Sequence, residues 1–579
     1  MEEHNMSKFK YSAILAVSAC LCVACLRETF PTDTMTEEQM NQSTNALEAM
    51  NRATASVLNR YGNDYGSAFG YPGIMMWRDA MAAEIPPYVA DYDYHPYYSQ
   101  CVYLGDYSFV QDWWSLFYKI VLNANLFMHA AEGNEDPMVQ RYLGNAYCYR
   151  AFAYLDLARM YEYHETGFPD LDNEAASRDI YGLTVPLYTE NTTEEDAKNL
   201  PRAPFYLLYR FILNDLDKAE ELLGDYVAPM VNQAGISLVY GLKARTWLEL
   251  ASRFDSEICS SADSDLQLML EHESDWPEYA PMGVSSARDC YSKALDYAEK
   301  TKAYHSPLTK DQWFNATTGF NTAQNAWIFG MIIGAEDVQS AWRTFTSQMS
   351  PETTYGTANK VYNAYRMIDA SLYAQIKDGD WRKRTWIDPD DAGKAEAYSK
   401  YTTLLSSSDF LLCPAYANFK YHPGSGDMEN YLVGNISDIP LMRVEEMYLI
   451  AAEAKGHLEG IAAGCAALEQ FVNTYRFTDG SYVASCSDMD SFNREILTQR
   501  RIEFWGEGIV IYDYRRLRLP VIRGYSGTNF PLSYRTNSLP GFVPPWSAVY
   551  ITSSEYQYNH AVEGKNNPDP SGYCIYWSN

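Results

Sequence analysis

The chain has 579 residues and a formal net charge of −30, with 45 Lys plus Arg against 75 Asp plus Glu. That balance excludes a binder of nucleic-acid backbone, which needs clustered Lys and Arg. It also argues against an anionic membrane surface and admits neutral ligands such as sugars. Apolar residues at 47% and charged residues at 21% describe a globular chain, not a disordered one, a coiled coil or a collagen-like fibre.

Lys8 and Lys10 precede an apolar stretch from Tyr11 to Ala24. This is a signal peptide, too short to cross a membrane as a helix. Met6 makes a better start than Met1, because Glu2 and Glu3 are foreign to a positive leader. The segment ends in Cys20, Cys22 and Cys25. Val23-Ala24-Cys25 fits a lipoprotein cleavage site, and the polar LRETFPTD begins there. Residues 1–24 are therefore read as the leader and Cys25 as the lipidated residue, with Cys20 the alternative. The eight other cysteines are scattered without CxxC spacing, which speaks against structural zinc. Export permits disulfides, but the sequence does not pair them.

Helical periodicity dominates the rest of the chain. Helices are expected at 36–60, 110–132, 137–162, 204–223, 234–253, 286–302, 442–457, 462–476 and 491–506. Within 137–162, Tyr142, Ala146, Tyr149, Ala153, Leu157 and Tyr161 recur at three- and four-residue steps. Ala151, Ala158, Ala244 and Ala251 suit close helix crossings, as in tetratricopeptide-like hairpins, although no clean 34-residue period is visible. At least one of Trp113 and Trp114 belongs to the core, and Cys148 is read as a small core residue. Long Gly-, Pro- and Tyr-rich stretches separate the helices: 61–108, 164–203, 305–437 and 520–579. Loops of that length are usually functional.

The motifs now form a pattern. Six segments resemble, in order, the SusD/RagB family of surface nutrient-binding lipoproteins: CLRETFPTDTMTEEQ, WWSLFYKIVLNANLFMHAA, YRAFAYLDLARMYE, VPLYTE with PRAPFYLLYRFILNDLDKAEELL, DIPLMRVEEMYLIAAEA, and QRRIEFWGEGIVIYDYRRL. Gln499 and Val510 depart from the family's usual Glu and Arg, and Pro204 stands where Thr or Ser is common. The tail, with Glu555, Asn559 and Asn567-Pro568, is a looser match. The resemblance implies a mostly α fold, a tetratricopeptide-like helix-pair scaffold with a loop-rich ligand-binding subdomain. It implies one body over 25–579, with scaffold at about 36–302 and 438–517 and insertions at 61–108, 305–437 and 520–579. It also implies a glycan ligand (peptide in some members), a TonB-dependent, SusC-like outer-membrane transporter as partner, and a lipid-anchored, surface-exposed place on the outer membrane.

The residues themselves sharpen this. Glu446 and Glu453 lie one heptad apart beside Arg443, and Arg500, Glu503 and Glu507 have helical spacing. They are read as structural ion networks, as is Asp513 with Arg515 and Arg516, rather than as the paired acids of a hydrolase. Sugars lay C–H faces on aromatic rings while polar side chains take the hydroxyls. The crowd within 61–108 is the first candidate site: Tyr71, Trp77, Arg78, Asp79, Tyr88, Tyr92, Tyr94, Tyr97 and Tyr98. Trp342 and Tyr355 form the second, with Arg343 and Gln348 as polar partners. Trp327 is expected in a buried strand. No enzyme signature, metal motif or cofactor is expected; Asp378-Gly379-Asp380 and Asp488-Met489-Asp490 lack a full calcium ladder. Asp490 or Ser491 is expected to cap a helix. The alternatives are the same role with a peptide ligand and, last, a helical glycoside hydrolase or lyase.

Overall fold

The computed structural model describes residues 43–59, 69–88 and 95–578. Cys25, Tyr92 and Tyr94 lie outside the described residues, and for Tyr97 only its backbone in the short helix His95–Gln100 is described.

Most helices form where the apolar period placed them. They are α1 (Thr44–Ser56), α3 (Ser108–Ala130), α4 (Pro137–Tyr161), α5 (Phe205–Leu223), α6 (Ile236–Arg253), α7 (Ala287–Lys302), α8 (Val444–Glu459), α9 (Ile461–Tyr475) and α10 (Met489–Glu503), while α11 (Val510–Arg516) lies outside the expected set. Local chemistry fixes their starts. Asp136 accepts hydrogen bonds from the Met138 and Val139 N–H groups, and Pro137 opens α4, where a missing N–H costs nothing. At α10 the cap is Asp488, two residues before the expected Asp490, and Ser491 answers it reciprocally.

The helices stack in succession. α4 lies between α3 and α5, α6 packs on α7, α7 on α8, α8 on α9, and α10 closes against both α8 and α9. Ala151, Ala158, Ala244 and Ala251 are all buried, as helix crossings require. Gly456 of α8 and Gly464 of α9 both face the ring of Phe492, and a Cβ on either would overlap it. Trp113, Trp114 and Cys148 are core residues.

One expected loop is a helix. α2 (Tyr71–Met81) is buried at every residue. Tyr71 and Arg78, seven apart on one face, meet Asp156 of α4: the Tyr71 hydroxyl donates to Asp156 at 2.7 Å, and Arg78 reaches both at 2.9 Å. Burial works against ionisation of Asp156. The Arg78 and Arg159 guanidiniums outweigh it and hold the carboxyl down at about 2.

The helical part is held by buried charge. Arg443 pairs with Glu445, Glu503 and Glu507, and Arg476 with Glu445 and Glu503, at 2.8–3.0 Å. Arg382 reaches in from the middle region to Glu503 at 2.8 Å. Burial opposes the charge on Glu503, yet Arg476, Arg443 and Arg382 hold its carboxyl well below the usual range. Glu446 pairs with Arg245, and Glu453 with Arg516. Asp513 pairs with Arg500 and Arg516. Arg515 turns away to Ser547 and the Glu162 carbonyl. Gln499 takes the place of an acid, accepting from Arg382 at 2.7 Å.

Among the described residues, three two-stranded antiparallel sheets complete the fold: β1 (Leu183–Pro186) with β2 (Arg202–Pro204), β3 (Trp327–Met331) with β4 (Ile439–Arg443), and β5 (Thr536–Asn537) with β6 (Ile575–Tyr576). In the second, Trp327 lies opposite Arg443 and Met331 opposite Ile439. The loop-rich middle, 332–438, therefore leaves and re-enters the scaffold through one narrow neck. Trp327 is buried in that neck.

Candidate functional site

The aromatic residues divide by burial. Trp77 and Tyr98 sandwich Trp113 at 5.0 and 5.6 Å between ring centroids, and all three are in the core. Tyr71 and Arg78 are spent on Asp156. Asp79 is buried against Gly508, whose N–H it accepts at 3.3 Å. Burial first, then the neighbouring Glu84 charge, pushes its carboxyl well up. None of these five side chains offers a surface to a ligand. The polar and aromatic crowding that marked them in the sequence serves packing.

Trp342 is different. It is 44% exposed, and the Tyr362 ring leans on it at 4.9 Å. Its loop is tied down from beneath. The Trp342 carbonyl accepts from the Ser347 hydroxyl at 2.8 Å and from the Gln348 amide at 2.9 Å. Asn435 donates to the carbonyls of Ser340 and Ala341 and accepts from Thr344. Gln348, expected to meet ligand, is instead buried beneath the loop. Its other end accepts from Thr357 at 2.9 Å and Arg366 at 3.2 Å.

Arg366 carries the connection onward. Its backbone bridges Pro87, and the Tyr88 N–H donates to the Tyr365 carbonyl at 3.2 Å. Tyr88 is 45% exposed and meets the Tyr365 ring edge-on at 6.1 Å. Hydrogen bonds through Gln348 and Arg366 thus link the Trp342 loop, on which Tyr362 leans, to the segment bearing Tyr88. Arg343 is half-buried at its edge, and Lys360 pairs with Asp409 nearby. Tyr355 stands to one side, half-buried against Tyr431, with its hydroxyl on the Asp427 carbonyl at 3.4 Å.

The segment bearing Tyr88 is anchored by residues that sequence reasoning did not single out. Among the described residues Arg523 is buried without a carboxylate partner, and it donates to the carbonyls of Ala80, Met81, Ala82, Tyr98 and Ser99. Trp546 caps Met81 at 2.6 Å, and Trp505 caps Glu84 at 2.7 Å. Both ends of 82–98 therefore converge on one guanidinium. A carbonyl-saturated arginine has no spacing signature, so no sequence signal marks it.

The chain matches two family models. Residues 286–573 match the SusD family, and residues 26–248 match a model described as starch-binding and associating with outer membrane. The chain belongs to the SusD family. Its mostly α fold is similar to that of a SusD-like carbohydrate binding protein from Bacteroides vulgatus, at 22% identity and TM-score 0.64, over 90% of this chain and 97% of that one. A SusD superfamily protein from Bacteroides thetaiotaomicron matches at 18% identity and TM-score 0.60, over 91% and 99%. A laminarin binding SusD-like protein matches at 15% and 0.58, over 91% and 99%. No curated protein matches the chain.

This SusD-family chain has a second concavity, of about 500 Å³, between α3 and residues 188–197. Three of its polar groups, Asn125, Glu190 and Glu555, are already engaged. Asn125 and Glu190 hold Arg150 at 2.6 and 2.5 Å, and Glu555 holds Tyr188 at 2.8 Å. What it presents outward is apolar, chiefly Leu122 and Leu126, each more than half exposed. Such a surface suits another protein better than sugar hydroxyls. Among the described residues no helix is long and apolar enough to cross a membrane, and no cluster of three metal-capable side chains occurs.

Proposed function

We propose that this protein binds a glycan at the outer membrane, using the Trp342–Tyr362–Tyr88 face, without chemically altering it. The observation that carries the reading is Trp342: a large ring left nearly half in water on a loop whose backbone is fixed by Gln348, Ser347 and Asn435. A rigid ring loses little entropy when a sugar face settles on it. The starch-binding description of the family model and the carbohydrate-binding names of similar structures support the ligand class. In the full reading, lipid at Cys25 anchors the chain at the cell surface, and the bound glycan passes to a TonB-dependent transporter. The carboxylates spaced for acid catalysis support a binding role, because Glu446 and Glu453 are buried on Arg245 and Arg516. Calorimetry against a panel of soluble glycans tests the reading. Heat from at least one glycan, with the affinity weakened roughly 30-fold by Trp342→Ala, is the expected result. Binding only to peptides would transfer the role to a peptide ligand, and release of shorter sugars would make the protein an enzyme.

A further inference from the structure

Two pairs of cysteines are brought together by backbone register. After α9 the chain returns along the helix. Asn473 exchanges hydrogen bonds with the Tyr482 backbone at 2.9 and 3.0 Å, and the Ala484 N–H donates to Glu469 at 2.9 Å. Two residues forward on the returning segment match four residues back on the helix. The lengths agree, since about 6.6 Å of extended chain spans about 6.0 Å of helix axis. The next step pairs Cys486 with Cys465. Tyr482 and Ala484 are buried while Val483 and Ser485 are exposed, so the period of two turns Cys486 inward as well. Residues 465, 469 and 473 share one helix face. The two thiols hydrogen-bond, and burial together with that bond pushes Cys486 up to about 12.

The second pair joins distant parts of the chain. The Gly572 N–H donates to the Cys101 carbonyl, the Leu104 N–H to the Ser571 hydroxyl, and the Tyr576 hydroxyl to the Gln100 carbonyl. Residues 571–576 thus run beside 100–104, with Cys574 in their midst. Cys101 is fully buried, and its thiol lies on Thr536, whose strand partner is Tyr576. The Cys101 thiol hydrogen-bonds to Cys574. That bond holds Cys574 below the usual thiol range against the opposing effect of burial, and the Arg523 guanidinium assists.

We infer that Cys101–Cys574 and Cys465–Cys486 are disulfide bonds in the exported protein. In each, two S–H bonds break and one S–S bond forms. Two protons leave to solvent, and two electrons reduce the disulfide of a dithiol oxidoreductase. Each pair has one buried sulfur, Cys101 or Cys465, and one partly exposed, Cys574 or Cys486. The more accessible sulfur attacks the oxidant, losing its proton as the mixed disulfide forms, and its buried neighbour then displaces the reduced enzyme from that mixed disulfide.

The test is a peptide map of the full chain recovered from the cell envelope, with thiols blocked by N-ethylmaleimide in denaturant and no reductant added. Two linked peptide pairs are expected, joining Cys101 to Cys574 and Cys465 to Cys486. Cys148, Cys259, Cys290 and Cys413 should carry the label. Cys574→Ser should free Cys101 alone, and Cys486→Ser should free Cys465 alone. Complete labelling of all eight positions, or linkage in any other pairing, overturns the inference. Neither result depends on whether the protein binds a glycan.

Discussion

The scaffold between β4 and α11 and the middle region between β3 and β4 solve opposite problems. The scaffold buries charge. Glu503 alone is met by three guanidiniums, and none of the four groups is exposed. The middle region buries a few ion pairs of its own, such as Glu352–His422 and Asp380–Arg382, but around Trp342 it exposes aromatic surface and uses buried Gln348, Asn435 and Arg366 to hold loop backbone in place. In this protein charge therefore marks structure and an exposed ring marks the proposed ligand face, the reverse of what acidic pairs in a sequence invite.

Breaking each side separately should show the difference. Glu503→Gln should have the largest effect, a loss of about 3–5 kcal/mol in folding stability, because it strands buried arginines. Denaturant unfolding measures it, and glycan affinity of the remaining folded fraction should be unchanged. Trp342→Ala should leave the melting temperature in place and weaken glycan binding by about 2 kcal/mol, roughly 30-fold. Gln348→Ala should fall between. It removes the amide beneath Trp342, costing about 1–2 kcal/mol of stability and a smaller share of affinity, so calorimetry and melting should both move.

Acid should find the scaffold first. An unfolded Asp titrates near about 4, and folded Asp156 is held at about 2. Its contribution is fully present above about pH 4 and is lost as the pH falls through 2. Melting curves of the protein and of Asp156→Asn should therefore converge across that interval. Asp79 runs the other way, because burial and Glu84 raise it. It costs stability as the pH climbs above about 4. Asp79→Asn should be the mildest change, with a small gain at neutral pH that vanishes in acid; a loss at pH 7 would mean that the ionised form is used.

Much of the scaffold was legible because helix period and burial are local properties of a sequence. The runs at 137–162 and 204–223 gave their own bounds to within a residue or two, and Trp327 declared itself a strand residue by its apolar neighbours. The site was legible only in part. Trp342 stood out between polar residues, and it is exposed. Tyr71, Trp77, Arg78, Asp79 and Tyr98 looked equally promising, but their burial is decided by Asp156, Gly508 and Trp113, far away or across the fold. A charged side chain in a tyrosine-rich stretch does not announce whether its partner is a ligand or a remote helix. Gln348 was expected beside a ligand and instead lies beneath the Trp342 loop, with its amide on the Trp342 carbonyl.

Arg523 has a consequence for how such a surface changes. It gathers carbonyls from Ala80 to Ala82 and from Tyr98 and Ser99, contacts that require no particular side chain on the segment it clasps. Arg523 thereby holds both margins of the segment through main-chain atoms, beside the side-chain contacts of Glu84 with Arg501 and of Tyr98 with Trp113. The clasp therefore does not read the side chains it holds, as a handle grips whatever blade is set in it, and its hydrogen bonds would survive a change of side chain at the positions it grips.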